Sequence, residues 1–169
     1  ALLGDAPQTT RRGRTLGMEL FSSALSRGAI PVVDVTRFLL GNYAEDVVVW
    51  ASEHLEHAAT AGKLPNEGLY RLLDTTGQAV NAFARGLVTD HLRRFDAAEL
   101  IVFCAESPDA TTSGLGIQLY ERELKDRGYD LAKLLPMFRI LLYKVATARA
   151  EKERLLGTLR RWAFESAEN

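Results

Sequence analysis

Apolar positions recur with a helical period through most of this chain. In "TLGMELFSSALSRG", Leu16, Leu20, Phe21, Ala24 and Leu25 fall at helical spacing, and Gly28 suits a helix stop. "AIPVVDVTRFLLGN" is β-branched enough at its start for a short strand, yet no second convincing strand exists to pair with it. A turn and a short helix from about Asp34 to Leu40 are therefore predicted. "YAEDVVVWASEHLEHAATAG" reads as the next helix, ended by Gly62 and Pro65. Asn66 as N-cap and Glu67 in the first turn open a further helical stretch that runs to Phe95. "TTGQ" kinks that stretch or splits it in two. Gly68, Gly77 and Gly86 each cost a helix up to ~1 kcal/mol relative to alanine. Tight packing inside the fold accounts for them, with close approach of a ligand or partner helix as the alternative.

Asp96 followed by Glu99 resembles a capping box for "AAELIVFCAE". That segment is apolar on every face and is expected to be the most buried helix. "SPDATTSGLG" reads as a loop of turn formers, "IQLYERELKDR" as an amphipathic helix closed by Gly128, and Asp130 as the cap of "LAKLL". Pro136 either sits in the first turn of a long last helix or kinks a longer one. A helix over 136 to about 165 would be about 43 Å long at 1.5 Å per residue. A compact domain of this size is roughly 40 Å across, so such a helix spans or overshoots it. Phe138, Leu141, Leu142, Val145 and Ala148 mark its first apolar stripe. "RAEKER" interrupts the stripe, and Leu155, Leu156, Leu159, Trp162 and Phe164 resume it beside Arg154, Arg160 and Arg161. The second patch either folds back to cap the bundle or docks on another chain. Leu155, Leu156, Leu159, Arg160, Trp162 and Phe164 are the interface residues of the docking reading, because Trp and Arg are enriched at interface hot spots.

Roughly three quarters of the chain reads as helix, far above the usual third. The predicted class is all-α: a single-domain bundle or globin-like array of about six to eight helices. Residues 1–14, with Gly4, Pro7, Gly13 and the cluster Arg11, Arg12 and Arg14, are expected to form a flexible basic arm. Residues 15–169 are expected to form the single helical domain, its last helix projecting.

A length of 169 residues at 47% apolar content suffices for one core. A net charge of −1 offers no overall field to nucleic acid or an anionic membrane, and the arginine pairs at 93–94 and 160–161 are scattered. No apolar run approaches a membrane span. The start has no signal-peptide pattern, and beginning at Ala1 implies a processed or trimmed chain of intracellular, soluble type. The single cysteine, Cys104, lies in "LIVFCA" and is expected to be buried and inert.

"EHLEH" at 53–57 holds the most chemistry per residue. At about 100° per residue, His54 falls on the apolar arc of Val47, Ala51, Leu55 and Ala58, His57 lies beside Trp50, and Glu56 points to water. Two histidines at i and i+3 are too few for a stable metal site, and the Glu-x-x-His spacing of di-iron bundles is absent. His54 is expected to be a hydrogen-bonded core or boundary residue. "SGLG" at 113–116 lacks the lysine and the preceding strand of a phosphate loop. No serine stands in a nucleophile elbow. No catalytic residue, metal or cofactor is therefore assigned. The leading reading is a non-catalytic helical protein–protein interaction or assembly subunit, with a protein partner or homo-oligomer formed through the C-terminal helix. The alternative is a sensor or carrier holding a small apolar ligand or haem between helices, near Trp50, His54 and His91.

Overall fold

The computed structural model describes residues 10–41, 43–124 and 131–143, together with 152, 153, 156, 157, 159 and 160. The fold is all-α, with eight α-helices and no strand among the described residues. It packs as two compact units that meet in sequence at Phe95 and Asp96, where one domain from residue 15 onward is predicted.

The first unit opens with helix α1, Arg11–Ser26. The Thr10 side chain caps it by accepting from the Gly13 N–H at 3.2 Å. Arg11, Arg12 and Arg14 are thus helical, and the predicted arm to residue 14 gives way to an N-cap at residue 10. A 3₁₀ turn over Val32–Thr36 runs directly into α2, Arg37–Leu40, in place of a strand. Helix α3, Glu45–Thr60, carries Glu45 and Asp46 in its first turn, where carboxylates complement the helix dipole. It buries Val47, Ala51, Leu55 and Ala58, the arc that the periodicity marks, and Ala59 beside them. α1 and α3 stop at Gly28 and Gly62, whose φ values of 69° and 66° are left-handed conformations that glycine adopts without strain.

Helix α4, Asn66–Leu73, begins with Pro65 at the cap position. Asn66 is its first helical residue, and its amide donates to the Tyr70 hydroxyl at 3.3 Å instead of capping the backbone. "TTGQ" does break the helix: α5 spans Gln78–His91. Buried Asn81 ties the two pieces together by donating from Nδ2 to the Leu73 carbonyl at 2.7 Å. The glycines divide. A Cβ at Gly68 would meet the Leu64 side chain at 2.8 Å, so packing explains it, whereas a Cβ at Gly86 would meet nothing within 4 Å.

The second unit is built on α6, Ala97–Glu106. Asp96 caps it by accepting from the Glu99 N–H at 3.2 Å. Ala97, Ala98, Leu100, Ile101, Cys104 and Ala105 are buried, with α7 and α8 packed against them. Burying Leu100 and Ile101 contributes about 1.5–3 kcal/mol each. α7, Ala110–Leu119, replaces the loop predicted over 107–116. Its threonines, serine and glycines are weak helix formers, but burial of Thr112, Ser113, Leu115, Gly116, Ile117 and Leu119 outweighs propensity. Asp109 caps it by accepting from the Thr112 N–H at 2.7 Å. A π-helical turn, Tyr120–Leu124, follows, and the buried Tyr120 ring meets Phe138 edge-on at 5.8 Å. α8, Leu131–Tyr143, holds Pro136 in its interior, so that proline does not open the last helix. The predicted caps Gly128 and Asp130 lie outside the described residues.

The contact between α6 and α7 depends on Gly116. A Cβ there would sit 2.9 Å from the Ile101 carbonyl oxygen and 3.3 Å from the Ala105 nitrogen, both backbone atoms. Gly114, two residues earlier in the same helix, would meet nothing within 4 Å. Gly116→Val should therefore destabilise the protein by about 1–3 kcal/mol through overpacking. Gly114→Ala should stabilise it by roughly 0.5–1 kcal/mol through helix propensity. Denaturant midpoints of the two variants test the assignment, and equal shifts would refute it.

Candidate functional site

The stripe Asp46, Trp50, His54 repeats every four residues along α3, so its members stack on one face. That face receives α1. Arg14 Nε lies 2.9 and 3.0 Å from the two carboxylate oxygens of Asp46. Two turns further on, Ser22 meets both Trp50 and His54. The order of these contacts, Arg14 to Asp46 and then Ser22 to Trp50 and His54, shows that α1 and α3 run in the same direction.

Three groups close a ring at Ser22. The Trp50 indole Nε1–H donates to Ser22 Oγ at 3.0 Å. Ser22 Oγ is 3.1 Å from His54 Nε2, and His54 Nδ1 is 2.9 Å from the Trp50 carbonyl. The donor inventory assigns the protons. An indole N–H only donates and a carbonyl only accepts, so Nδ1 carries the imidazole hydrogen and donates to Trp50. Nε2 of the neutral ring then accepts from the Ser22 hydroxyl. A serine hydroxyl within reach of a histidine nitrogen is the minimum geometry of a nucleophile and its base. Here the second hydrogen bond to Oγ comes from an indole, and Nδ1 is oriented by a main-chain carbonyl. The arrangement joins α1 to α3.

An aromatic cluster surrounds this ring. Phe21 of α1 meets Phe38 of α2 at 5.2 Å and Trp50 at 6.2 Å, both edge-on. Phe38 also meets Trp50 at 5.6 Å and Tyr43 at 5.2 Å. The Arg37 guanidinium lies 5.5 Å from the Phe21 ring centre and 5.0 Å from that of Phe38, within cation–π range. His54, expected in the core or at its boundary, is half-buried and hydrogen-bonded through both ring nitrogens.

The carrier reading joins Trp50, His54 and His91; the structure brings Trp50 and His54 together, with ring centres 4.7 Å apart, and places His91 elsewhere. His91 Nε2 is 2.9 Å from Glu56 Oε1. Glu56 lies about 200° around α3 from His54, on the opposite side of that helix. His91 therefore braces α5 against the solvent side of α3, and both ring nitrogens of His54 are engaged elsewhere. Among the described residues, no group of three or more His, Cys, Asp or Glu side chains is placed to hold a metal ion. "SGLG" lies inside α7, not in a loop. No helix among the described residues is long and apolar enough to cross a membrane.

Of the six predicted interface residues, Leu156, Leu159 and Arg160 are helical, with Leu156 and Arg160 exposed and Leu159 half-buried. Leu155, Trp162 and Phe164 lie outside the described residues. Sequence reasoning missed the outer face of α1. Leu16 and Leu20 are 50% and 53% exposed, although their helical spacing marks them as core. The signal available was the company they keep: Arg12, Glu19, Ser23 and Arg27 share their side of the helix. Compared with known proteins, the chain matches no family model, no curated protein and no solved structure.

Two outcomes test this geometry. Ser22→Ala removes the acceptor of the Trp50 indole and the donor to His54 together, and should cost about 1–3 kcal/mol. His54→Phe leaves the serine–indole bond in place and should cost less, as read by urea unfolding of both variants. Cys104 is buried in α6, and burial pushes its thiol from 9.0 up to about 12. Between those values the unfolded chain loses the thiol proton and the folded chain keeps it. Stability from this group is therefore complete below about pH 9 and is lost as pH rises toward 12. An aromatic disulfide reagent at neutral pH should leave Cys104 unmodified in the folded protein and label it fully in urea.

Proposed function

We propose that this chain is a helical protein–protein interaction or assembly subunit. The observation that carries the reading is the state of α1. It spans 16 residues, yet Gly17 is its only buried residue, and Leu16 and Leu20 stay half exposed four residues apart. α1 is held by polar and edge-aromatic contacts: Arg14 on Asp46, Ser22 on Trp50 and His54, and Phe21 on Phe38 and Trp50. A helix fixed in this way keeps Leu16 and Leu20 available. Completing the burial of each leucine would add roughly half of the ~1.5–3 kcal/mol that a large aliphatic side chain gains.

The C-terminal helical residues Leu156, Leu159 and Arg160 are a second element of the same reading, with exposed apolar and basic groups side by side. Native mass of the protein isolated from its source tests the proposal, and a protein of monomer mass with nothing bound would refute it. Truncation after Ala150 is expected to weaken self-association or partner binding, measured by light scattering, more than it lowers the melting temperature. If the truncated chain fails to fold, the C-terminal segment caps its own bundle and is not a docking element.

A further inference from the structure

We infer that the partner of the α1 face is the α3 face of a second copy of this chain, a deepening that rests on the reading above. The two outer faces carry matching patterns with opposite charge. On α1, Arg12, Leu16 and Leu20 recur every four residues, with exposed Arg11 and Arg27 close by and Glu19 as the one acid. Arg14 is not part of this face, since Asp46 holds it. On α3, Glu45, Val49 and Glu53 recur every four residues, all exposed, with Val49 at 50%. Both repeats advance about 6 Å per step, because both are α-helical.

Setting Val49 of one copy between Leu16 and Leu20 of the other covers three half-exposed aliphatic side chains at once. It also brings one of the two glutamates to within about 3 Å of Arg12 along the helix axis, whichever way the helices run, a distance that the long arginine side chain spans. A shallow, open depression lined by Arg11, Arg12, Thr15, Leu16 and Glu19 lies on the α1 side. The first turn of α1 adds a further reason for an acidic occupant. It holds arginines and no acid, so it meets the positive end of its own helix dipole with like charge. A carboxylate from a neighbouring α3 relieves that repulsion. The α1 and α3 faces are different surfaces, so the contact is heterologous: copies join face to unlike face. Two helices in contact bury less than the ~1,200 Å² of a standard stable interface, so the association is weak and depends on concentration. Its charged rim makes it weaker in high salt.

Sedimentation velocity and native mass spectrometry of the full chain over a concentration series test this. Wild type should assemble as concentration rises and dissociate with added salt. Leu16→Ser with Leu20→Ser breaks one face, and Val49→Lys with Glu53→Lys breaks the other. Each double variant should associate at least tenfold more weakly than wild type, with an unchanged circular dichroism spectrum. Mixing the two variants leaves one intact pair of faces and should give a one-to-one heterodimer that does not grow further. Wild type that stays monomeric overturns the inference, as do variants that assemble like wild type or a mixture that forms no heterodimer. A monomeric purified chain that is bound to a different protein at its source overturns this inference alone and leaves the interaction reading standing. A chain that is monomeric and unbound in both settings ends both.

Discussion

Trp50 sits half-buried on α3 with an indole N–H that needs an acceptor, and Ser22 of α1 provides it. Much of the first unit follows from that requirement. The same serine oxygen engages His54, whose other nitrogen is bound by the carbonyl of Trp50 itself. α1 is thereby fixed in direction and rotation by polar atoms, with Arg14 and Asp46 as a second anchor two turns away. A partly exposed ion pair of this kind adds at most about 1 kcal/mol, so its value lies more in register than in energy. Because polar contacts do this work, α1 does not have to bury its leucines against its own unit. The outer face of the helix is a consequence of how the inner face is held.

The second unit is organised by distance of approach. α6, expected to be apolar on every face, turns Glu99 and Glu106 to solvent and buries Ala97, Ala98, Leu100, Ile101, Cys104 and Ala105, with α7 and α8 packed against it. α7 gets close enough to touch its backbone because Gly116 has no side chain. Close packing of small residues replaces the large interdigitating side chains that would hold a wider helix pair apart. The Ser113 hydroxyl, buried at this contact, donates to the Ala105 carbonyl at 3.4 Å. Cys104 lies in the same contact, which is why its thiol is both inaccessible and difficult to ionise.

Functionally, the histidines are the most chemically able residues here, and both described hydrogen-bonded ones join helices. His54 links α3 to α1, and His91 links α5 to α3. Elsewhere on these two helices, exposed aliphatic side chains stand within rows of charge: Leu16 and Leu20 beside Arg12 on α1, and Val49 between Glu45 and Glu53 on α3.

What the sequence by itself determined is local. Helical periodicity marked the arc of α3, the caps at Asp96 and the stops at Gly28 and Gly62, because each depends on residues within one or two turns. It also marked His54 as a hydrogen-bonded core or boundary residue and placed Cys104 in an apolar interior. Tertiary structure alone decided the rest. Ser22 meets Trp50 across 28 positions and His54 across 32, and His91 meets Glu56 across 35. No local pattern encodes such pairings, since they depend on which helix faces pack together. The helix α7 was illegible for a related reason: its weak helix formers are held by burial against α6. The exposure of Leu16 and Leu20 was only hinted at, by the charged and polar residues that share their side of the helix. Periodicity shows that apolar residues share a side of a helix, and only packing shows whether anything covers that side.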